Sequence, residues 1–386
     1  MKKIFFILTG ITMLFNFNTS LVAKAQAQIA GAEQSERVRY FYDALVPYGE
    51  WIWNAQYGWV WSPYNVPIDW QPYTDGHWEY TDYGWTWTSD MPWGWACFHY
   101  GRWFYDDNYG WLWYPDTVWA PSWVAWRVSN DWIGWAPLPP EAIWREHMGL
   151  EFSDDDEDDF IPWHAFSFCH VNEFVERNIK HHLANRALTI TIMKESSHVS
   201  HSVKFRNERV VNELPFEKQI VKVVGHPITP RKLVSVNTPE QHGIFGNEVR
   251  MFRPEFKVKS QEGKVSNTPR AVPLPLSEKQ PEIRNLINQH QIEMQNLEKM
   301  HSERQKVLKE EHARELQNPP PGISREQLIE KHQTELKANQ EQIQREQQLL
   351  QNWHNREERT YTVPNAPPHR AFTIKDEEDK KDKISE

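Results

Sequence analysis

Gly76-His77-Trp78, followed by Tyr83-Gly84-Trp85-Thr86-Trp87, is one copy of a phrase that decides how this chain folds. It occurs before as Gly49-Glu50-Trp51 with Tyr57-Gly58-Trp59-Val60-Trp61, and after as Gly101-Arg102-Trp103 with Tyr109-Gly110-Trp111-Leu112-Trp113. The units begin 27 and 25 residues apart, and a looser fourth copy runs from Trp123 and Trp126 to Gly134-Trp135, closing on Pro137, Pro139 and Pro140. Trp, Tyr, Val and Thr favour pleated strands. In Trp-x-Trp both rings fall on one face, because strand side chains alternate. Asp, Asn, Tyr and Gly gather where the chain must reverse, and the glycines and prolines exclude a helix. Each unit therefore reads as a β-hairpin, marginal alone. The fixed period predicts that neighbours bury a shared core, as a meander, a small barrel or a short solenoid.

The repeat domain spans about 40–145 and holds nineteen of the 21 tryptophans. Upstream, Met1 to Ala25 has Lys2 and Lys3, an apolar stretch from Ile4 to Phe15 and then Ala23-Lys24-Ala25, the pattern of a cleaved signal peptide. The expectation is export to the periplasm or the extracellular space. No later stretch approaches the roughly 20 apolar residues of a membrane span, and no cysteine follows the apolar core to take a lipid. The overall hydrophobic content of 39% lies below the roughly 45–50% of globular chains, so only part of the chain should fold compactly.

Charge divides the molecule. Between Tyr40 and Phe160 stand twenty acidic residues against three arginines and no lysine, a net of −17. From His164 to Pro273 seventeen basic residues face ten acidic ones, a net of +7. So acidic a module repels phosphate backbones, which disfavours nucleic acid as its partner. The basic segment is its electrostatic complement. The run Asp154-Asp155-Asp156-Glu157-Asp158-Asp159 lacks the alternation and central glycine of an EF-hand loop and reads as an acidic linker over 146–160.

Segment 161–237 reads as a basic α+β appendage, or a strap along the first module. It has a helix-like stretch from Val171 to Leu188 and β-rich runs at Leu188–Ile192, Val210-Val211 and Ile220–Val224. Residues 238–280 read as linker. Over 281–354 apolar residues recur at near-heptad spacing, at Ile283, Leu286, Met294, Leu297, Leu328, Leu336, Ile343 and Leu350 among others. Asn318-Pro319-Pro320-Pro321-Gly322 breaks this segment, and Ser324 with Gln327 offers a capping box for the restart. The expectation is a pair of helices, as a hairpin or an extended coiled coil available for self-association, with His290, His301 and Arg304 interrupting the seam. A disordered tail is expected over 355–386.

The repeat also carries a family resemblance. Gly84 to Trp95, His99-Tyr100-Gly101-Arg102-Trp103, Trp119 to Arg127 and Gly134 to Pro140 together resemble the Trp/Gly-rich domain of unknown function in exported bacterial proteins with YXWGXW-type repeats. A weaker echo follows at Asn207-Glu208-Arg209-Val210-Val211-Asn212-Glu213. The resemblance implies a location and an architecture, and brings no activity or catalytic residues with it.

Tryptophan faces stack on sugar rings, and nearby carboxylates accept hydroxyl hydrogen bonds or attract cations. Candidate ligand-binding residues are therefore Trp59, Trp61, Trp85, Trp87, Trp93, Trp95, Trp111 and Trp113, with His99, Tyr100 and Arg102 of the most motif-like segment. The competing reading is architectural. A domain poor in Leu, Ile and Val must build its core from rings that each bury about 150–250 Å². Arg102, in so acidic a module, is expected in a salt bridge. Cys97 and Cys169 are either one disulfide or two buried thiols. His181-His182 and His198-x-x-His201 lack the spacing of zinc sites, and no metal or cofactor is expected. No nucleophile elbow, metalloprotease helix, P-loop or dinucleotide fingerprint is present. The sequence points to an exported, non-enzymatic scaffold or binding protein of the cell envelope. The alternatives are a module for glycan or peptidoglycan fragments and, after that, a glycoside hydrolase.

Overall fold

The computed structural model describes residues 36–67, 69–152, 161–214, 220–221, 227–254, 256 and 280–362. The signal peptide, the acidic run at 154–159, the linker stretch 261–279 and residues 363–386 of the expected tail lie outside the described residues, whereas 355–362, read as disordered tail, continue the last helix.

Helix α1 covers 36–45, and four hairpins follow. They are β1 (Gly49–Asn54) with β2 (Gly58–Pro63), β3 (Gly76–Thr81) with β4 (Gly84–Ser89), β5 (Arg102–Asp106) with β6 (Gly110–Tyr114), and β7 (Val124–Val128) with β8 (Trp132–Pro137). A single turn, α2 (Gly94–Cys97), separates the second from the third. One cross-strand pair recurs in all four: Trp51 opposite Trp61, Trp78 opposite Trp87, Trp103 opposite Trp113, and Trp126 opposite Trp135. All eight rings are buried. The repeated phrase thus encodes one side-chain pair per hairpin, and these pairs are the core. The glycine opening each unit makes room for its own pair. A Cβ on Gly101, whose φ is +68°, would lie 2.2 Å from the Tyr114 carbonyl oxygen and 2.7 Å from the Trp113 indole nitrogen.

The hairpins do not close into a barrel. They are dealt into separate sheets, in the orders β1-β2-β6-β5, β3-β4-β14 (Arg209–Asn212)-β13 (Val203–Arg206) and β11 (Ser167–His170)-β8-β7-β12 (Ser197–Val199), antiparallel throughout except where β14 meets β4 in parallel. The added strands β11, β12, β13 and β14 all come from the basic segment. That segment is accordingly woven into the module's sheets, covering strand edges that would otherwise stay open. The expected charge complementarity appears as Lys180–Asp75 at 2.7 Å, Arg231–Glu79 at 2.9 Å and Arg209–Asp82 at 3.2 Å. These pairs are part-exposed and individually weak, so strand pairing and burial dominate the attachment.

Three local readings are overturned here. Leu188–Ile192, read as a strand, lies within helix α3 (Arg186–Glu195), while the stretch read as helix, from Val171, is turns and a short 3₁₀ segment, Ile179–His182. Asn185 caps α3 by accepting the Leu188 N–H at 2.9 Å, and Ala187 and Ile190 are buried against Leu297 and Leu350. Tertiary packing outweighs the modest helix penalty of β-branched residues. Residues after Thr238, read as linker, form β16 (Gly243–Phe245) and β17 (Glu248–Phe252), which join β15 (Lys232–Val236) in a three-stranded sheet. Phe252 meets Trp95 at 4.8 Å and Arg253 lies 3.9 Å above Trp119, so aromatic contacts anchor a stretch whose periodicity is weak. A small ladder, β9 (Ile143–Arg145) with β10 (Gly149–Glu151), completes the strands.

Two helices, α4 (Gln280–Gln317) and α5 (Arg325–Thr362), form an antiparallel hairpin, each about 57 Å long at 1.5 Å per residue. The proline break and the Ser324–Gln327 capping box fall between and at the start of them as the sequence implies, with reciprocal bonds of 2.9 and 3.2 Å. The seam is not heptad. Positions 286, 290, 293, 297, 301, 304, 308, 312 and 315 of α4 step by four, three and four residues, an eleven-residue period that keeps helices nearly straight or slightly right-handed. His290, His301 and Arg304 lie in this seam facing carboxylates rather than interrupting it. Among the described residues no helix is long and apolar enough to cross a membrane.

Candidate functional site

Most tryptophans are consumed by the core, so the site must be sought where rings remain at the surface beside polar groups. That occurs at the turns of the first and third hairpins. Asn54 Oδ1 accepts the N–H groups of Gln56 at 2.9 Å and Tyr57 at 3.1 Å. Asp106 Oδ1 does the same for Asn108 at 2.8 Å and Tyr109 at 3.2 Å. Each side chain imitates a backbone turn and holds its loop in the same shape. β2 pairs antiparallel with β6 through Trp61 and Trp113, so the two turns stand at opposite ends of one four-stranded sheet.

Between them, the segments 137–141 and 161–165, and α5, lies an open cleft of about 510 Å³. Tyr57, Phe104, Tyr105 and Trp111 supply rings; Asn54, Gln56 and Asn108 supply amides; Asp106, Asp107 and Glu141 supply carboxylates. Tyr57 donates its hydroxyl to Glu141 Oε1 at 2.5 Å. Burial, and then that carboxylate, push the Tyr57 phenol well up. Arg356 of α5 donates through Nε to Asp107 Oδ1 at 2.6 Å and through Nη1 to His164 Nε2 at 3.4 Å. The Thr360 hydroxyl donates to the Asp107 carbonyl at 3.0 Å. His164 is stacked on Trp353 at 4.0 Å and is held neutral by burial and by the adjoining Arg186 and Arg356. One wall of the cleft is thus brought by a helix some 250 residues further along the chain, docked through Trp353 among Tyr105, Trp163 and His164.

The structure disperses the candidates named from sequence. Trp111 borders the cleft but is itself a buried core ring. Trp61, Trp85, Trp87, Trp93 and Trp113 are buried core rings, while Trp59 and Trp95 are half-buried against Trp53 and Phe252. Trp53, at 50% exposure, is more open than any ring that was named. His99 is buried beneath Trp119, its Nδ1 3.0 Å from the Ala120 carbonyl, and burial lowers its pKa to about 3. Tyr100 is a core ring packed on Phe41 at 5.5 Å.

Arg102 departs from its expected salt bridge. It donates to the Ala142 and Gly101 carbonyls at 3.0 and 2.8 Å and lies 3.6 Å over the Trp123 ring, and among the described residues no ion pair holds it. Carbonyls and a ring face hold the cation without requiring a second buried charge, and burial lowers its pKa to about 10.

Cys97 and Cys169 are free buried thiols, one in α2 and one in β11, so the bridge considered from sequence is not formed. Burial raises both thiols well above their ordinary value. Neither should react with a thiol reagent at pH 8 in the native state. Denaturation should release two reactive thiols per chain, and fewer than two would show a bridge. Among the described residues, no group of three or more His, Cys, Asp or Glu is arranged to hold a metal.

Asn54, Gln56, Tyr57, Glu141 and Arg356 escaped the sequence reading. The Asn54 and Asp106 turns were visible in the repeat, but nothing in the sequence placed Glu141 or Arg356 beside them. Comparison with known proteins returns no match among curated proteins and none among solved structures. The hairpin repeat itself, over residues 42–142, matches the model of a family of unknown function, DUF6600.

Proposed function

We propose that this chain is an exported, non-enzymatic binding scaffold of the cell envelope, in which the aromatic hairpin module is a rigid frame and the cleft between its turns is the binding surface. The observation that carries this reading is the division of labour among the rings. The cross-strand tryptophan pairs are buried, whereas ring, amide and carboxylate groups come together at the surface in the cleft. Export rests on the N-terminal pattern of Met1 to Ala25. The carboxylates that line the cleft are already engaged: Asp106 with its own turn, Asp107 with Arg356, and Glu141 with Tyr57. That leaves no obvious acid and base pair for glycoside hydrolysis. The helical hairpin serves as a spacing arm, with self-association through its outer surface part of the same proposal.

Glycan fragments of the cell wall are the ligand class that the lining favours. Tyr57, Phe104 and Tyr105 offer half-buried rings, and the amides match a hydroxyl-rich ligand. Titration of the full chain with peptidoglycan and envelope glycan fragments should perturb cleft resonances, and Gln56→Ala should weaken that response several-fold without altering the melting temperature. A panel with no response at the cleft defeats the glycan reading. Turnover of any member of the panel defeats the non-enzymatic one.

A further inference from the structure

The seam of the α4–α5 hairpin is built largely from charge. His290, His301 and His312 recur every eleven residues on α4, and Glu357, Glu346 and Glu335 face them from α5 at 3.0, 2.7 and 2.7 Å. Three residues along from the first and last of these histidines, Glu293 and Glu315 meet His354 and His332 at 2.9 and 2.7 Å. A His-x-x-Glu motif therefore stands opposite its own reversed copy at both ends of the seam. The rings of His290 and His354 stack at 3.9 Å, and those of His312 and His332 at 3.8 Å. All five imidazoles are buried, as are Glu293, Glu346 and Glu357.

The remaining charged groups around the ladder are few. Arg186 of α3 stands 4.0 Å from Glu357 and acts on Glu293 as well. Glu358 accepts from His290 Nδ1 at 3.0 Å. Glu346 binds Lys194 of α3 and Arg304. Lys331 reaches Glu315 at 3.4 Å and Glu335 at 3.7 Å. Glu346 therefore keeps two permanent cations, whereas Glu293 and Glu357 share Arg186 and otherwise face imidazoles.

A buried carboxylate whose counter-charge is removed destabilises whatever buries it. We propose that the α4–α5 hairpin is a proton-dependent clasp, closed and docked on the module while its seam histidines are protonated, and loosened when they lose their protons. Burial alone would lower the His290 pKa, but the Glu357 and Glu358 hydrogen bonds outweigh it and the net shift is upward. That contribution is complete below the ordinary value of 6.5 and is lost as pH rises through the raised one. Burial would likewise raise Glu293 and Glu346, but their hydrogen-bonded cations lower both, Glu346 to about 2. Those contributions are present above 4.5 and are lost as pH falls through the lowered values. Closure is therefore strongest between 4.5 and 6.5. Because α5 also carries Trp353, Arg356 and Thr360, loosening reaches one wall of the cleft.

Amide hydrogen exchange on the full chain, corrected for intrinsic rates and referenced to β3 and β4, tests the clasp. Protection of α4 and α5 should fall on the order of tenfold between about pH 5.5 and about pH 8.5, while the strands stay constant. Protection that is equal or greater at the higher pH overturns the proposal. In His290→Gln/His312→Gln, which keeps hydrogen-bonding side chains but no titrating charge at those positions, the pH dependence should flatten. An undiminished tenfold change in that variant overturns the assignment to these histidines. Should the variant not dock, the wild-type profile alone decides.

Discussion

Trp78→Ala is expected to cost the module roughly 3–5 kcal/mol, the range for deleting a large ring from a packed core. Trp78 is the most connected ring of the repeat, with Tyr73, Trp87, Trp126, Trp135 and Phe174 all at centroid distances between 4.7 and 6.2 Å. Those partners belong to three hairpin strands, the connection before β3 and the basic segment, so one truncation opens a cavity shared by five parts of the chain. Among the described residues the Trp78 indole N–H has no hydrogen-bond partner, so the loss is one of packing. Trp78→Phe should therefore recover a large share of it. Equilibrium urea unfolding followed by far-ultraviolet circular dichroism measures both. A loss below about 1 kcal/mol for the alanine variant would show that the pair is decoration on a core formed elsewhere.

Asn212→Ala is expected to destabilise the same module by about 2–4 kcal/mol, from buried partners left unsatisfied at about 1–3 kcal/mol each. Asn212 is fully buried at the end of β14. Its Oδ1 accepts the Trp126 indole N–H at 2.7 Å, its Nδ2 donates to the Ser122 hydroxyl oxygen at 3.0 Å, and its backbone N–H donates to the Tyr83 carbonyl at 3.0 Å. One residue thus ties the basic segment to the second and fourth hairpins. The approach is so close that a Cβ on Gly84, with φ +87°, would lie 1.9 Å from the Asn212 carbonyl oxygen. Asn212→Asp retains an acceptor for Trp126 but loses the donor to Ser122, and should fall in the same range. Proteolysis within 197–214 should accelerate in both variants, and protection equal to wild type would argue that the strap is held by its ion pairs.

Several of these relations were open to a reader of the sequence, and the reasons they were are local. The hairpins were legible because alternation puts Trp85 and Trp87 on one face, and because Asn54, Asp106 and the following glycines carry turn chemistry wherever they occur. The competition between core and ligand for the rings was also visible, since a module short of aliphatic residues has few other means of filling its interior. The eleven-residue seam was written in the chain too, as His290, His301 and His312. Apolar spacing alone does not reveal it, because histidine and glutamate are polar, although paired across two helices they fill the role of seam residues. Leu188–Ile192 shows the opposite case: its β-branched residues are locally strand-like, and the decision for helix belongs to Leu297 and Leu350, more than a hundred residues away.

The sequence by itself determined the hairpin unit, its Trp–Trp register, the helix pair and the break between its arms, because each depends on contacts within some thirty residues or on a repeated local pattern. Only the tertiary structure decided that the hairpins lie in separate sheets edged by the basic segment, that Asn212 is the buried tie, and that Asn54, Asp107, Glu141, His164 and Arg356 share one cleft. Those outcomes turn on which strand edge is covered by which distant segment and on where Trp353 finds its seat. Long-range packing settles both, and no local preference along the chain encodes it.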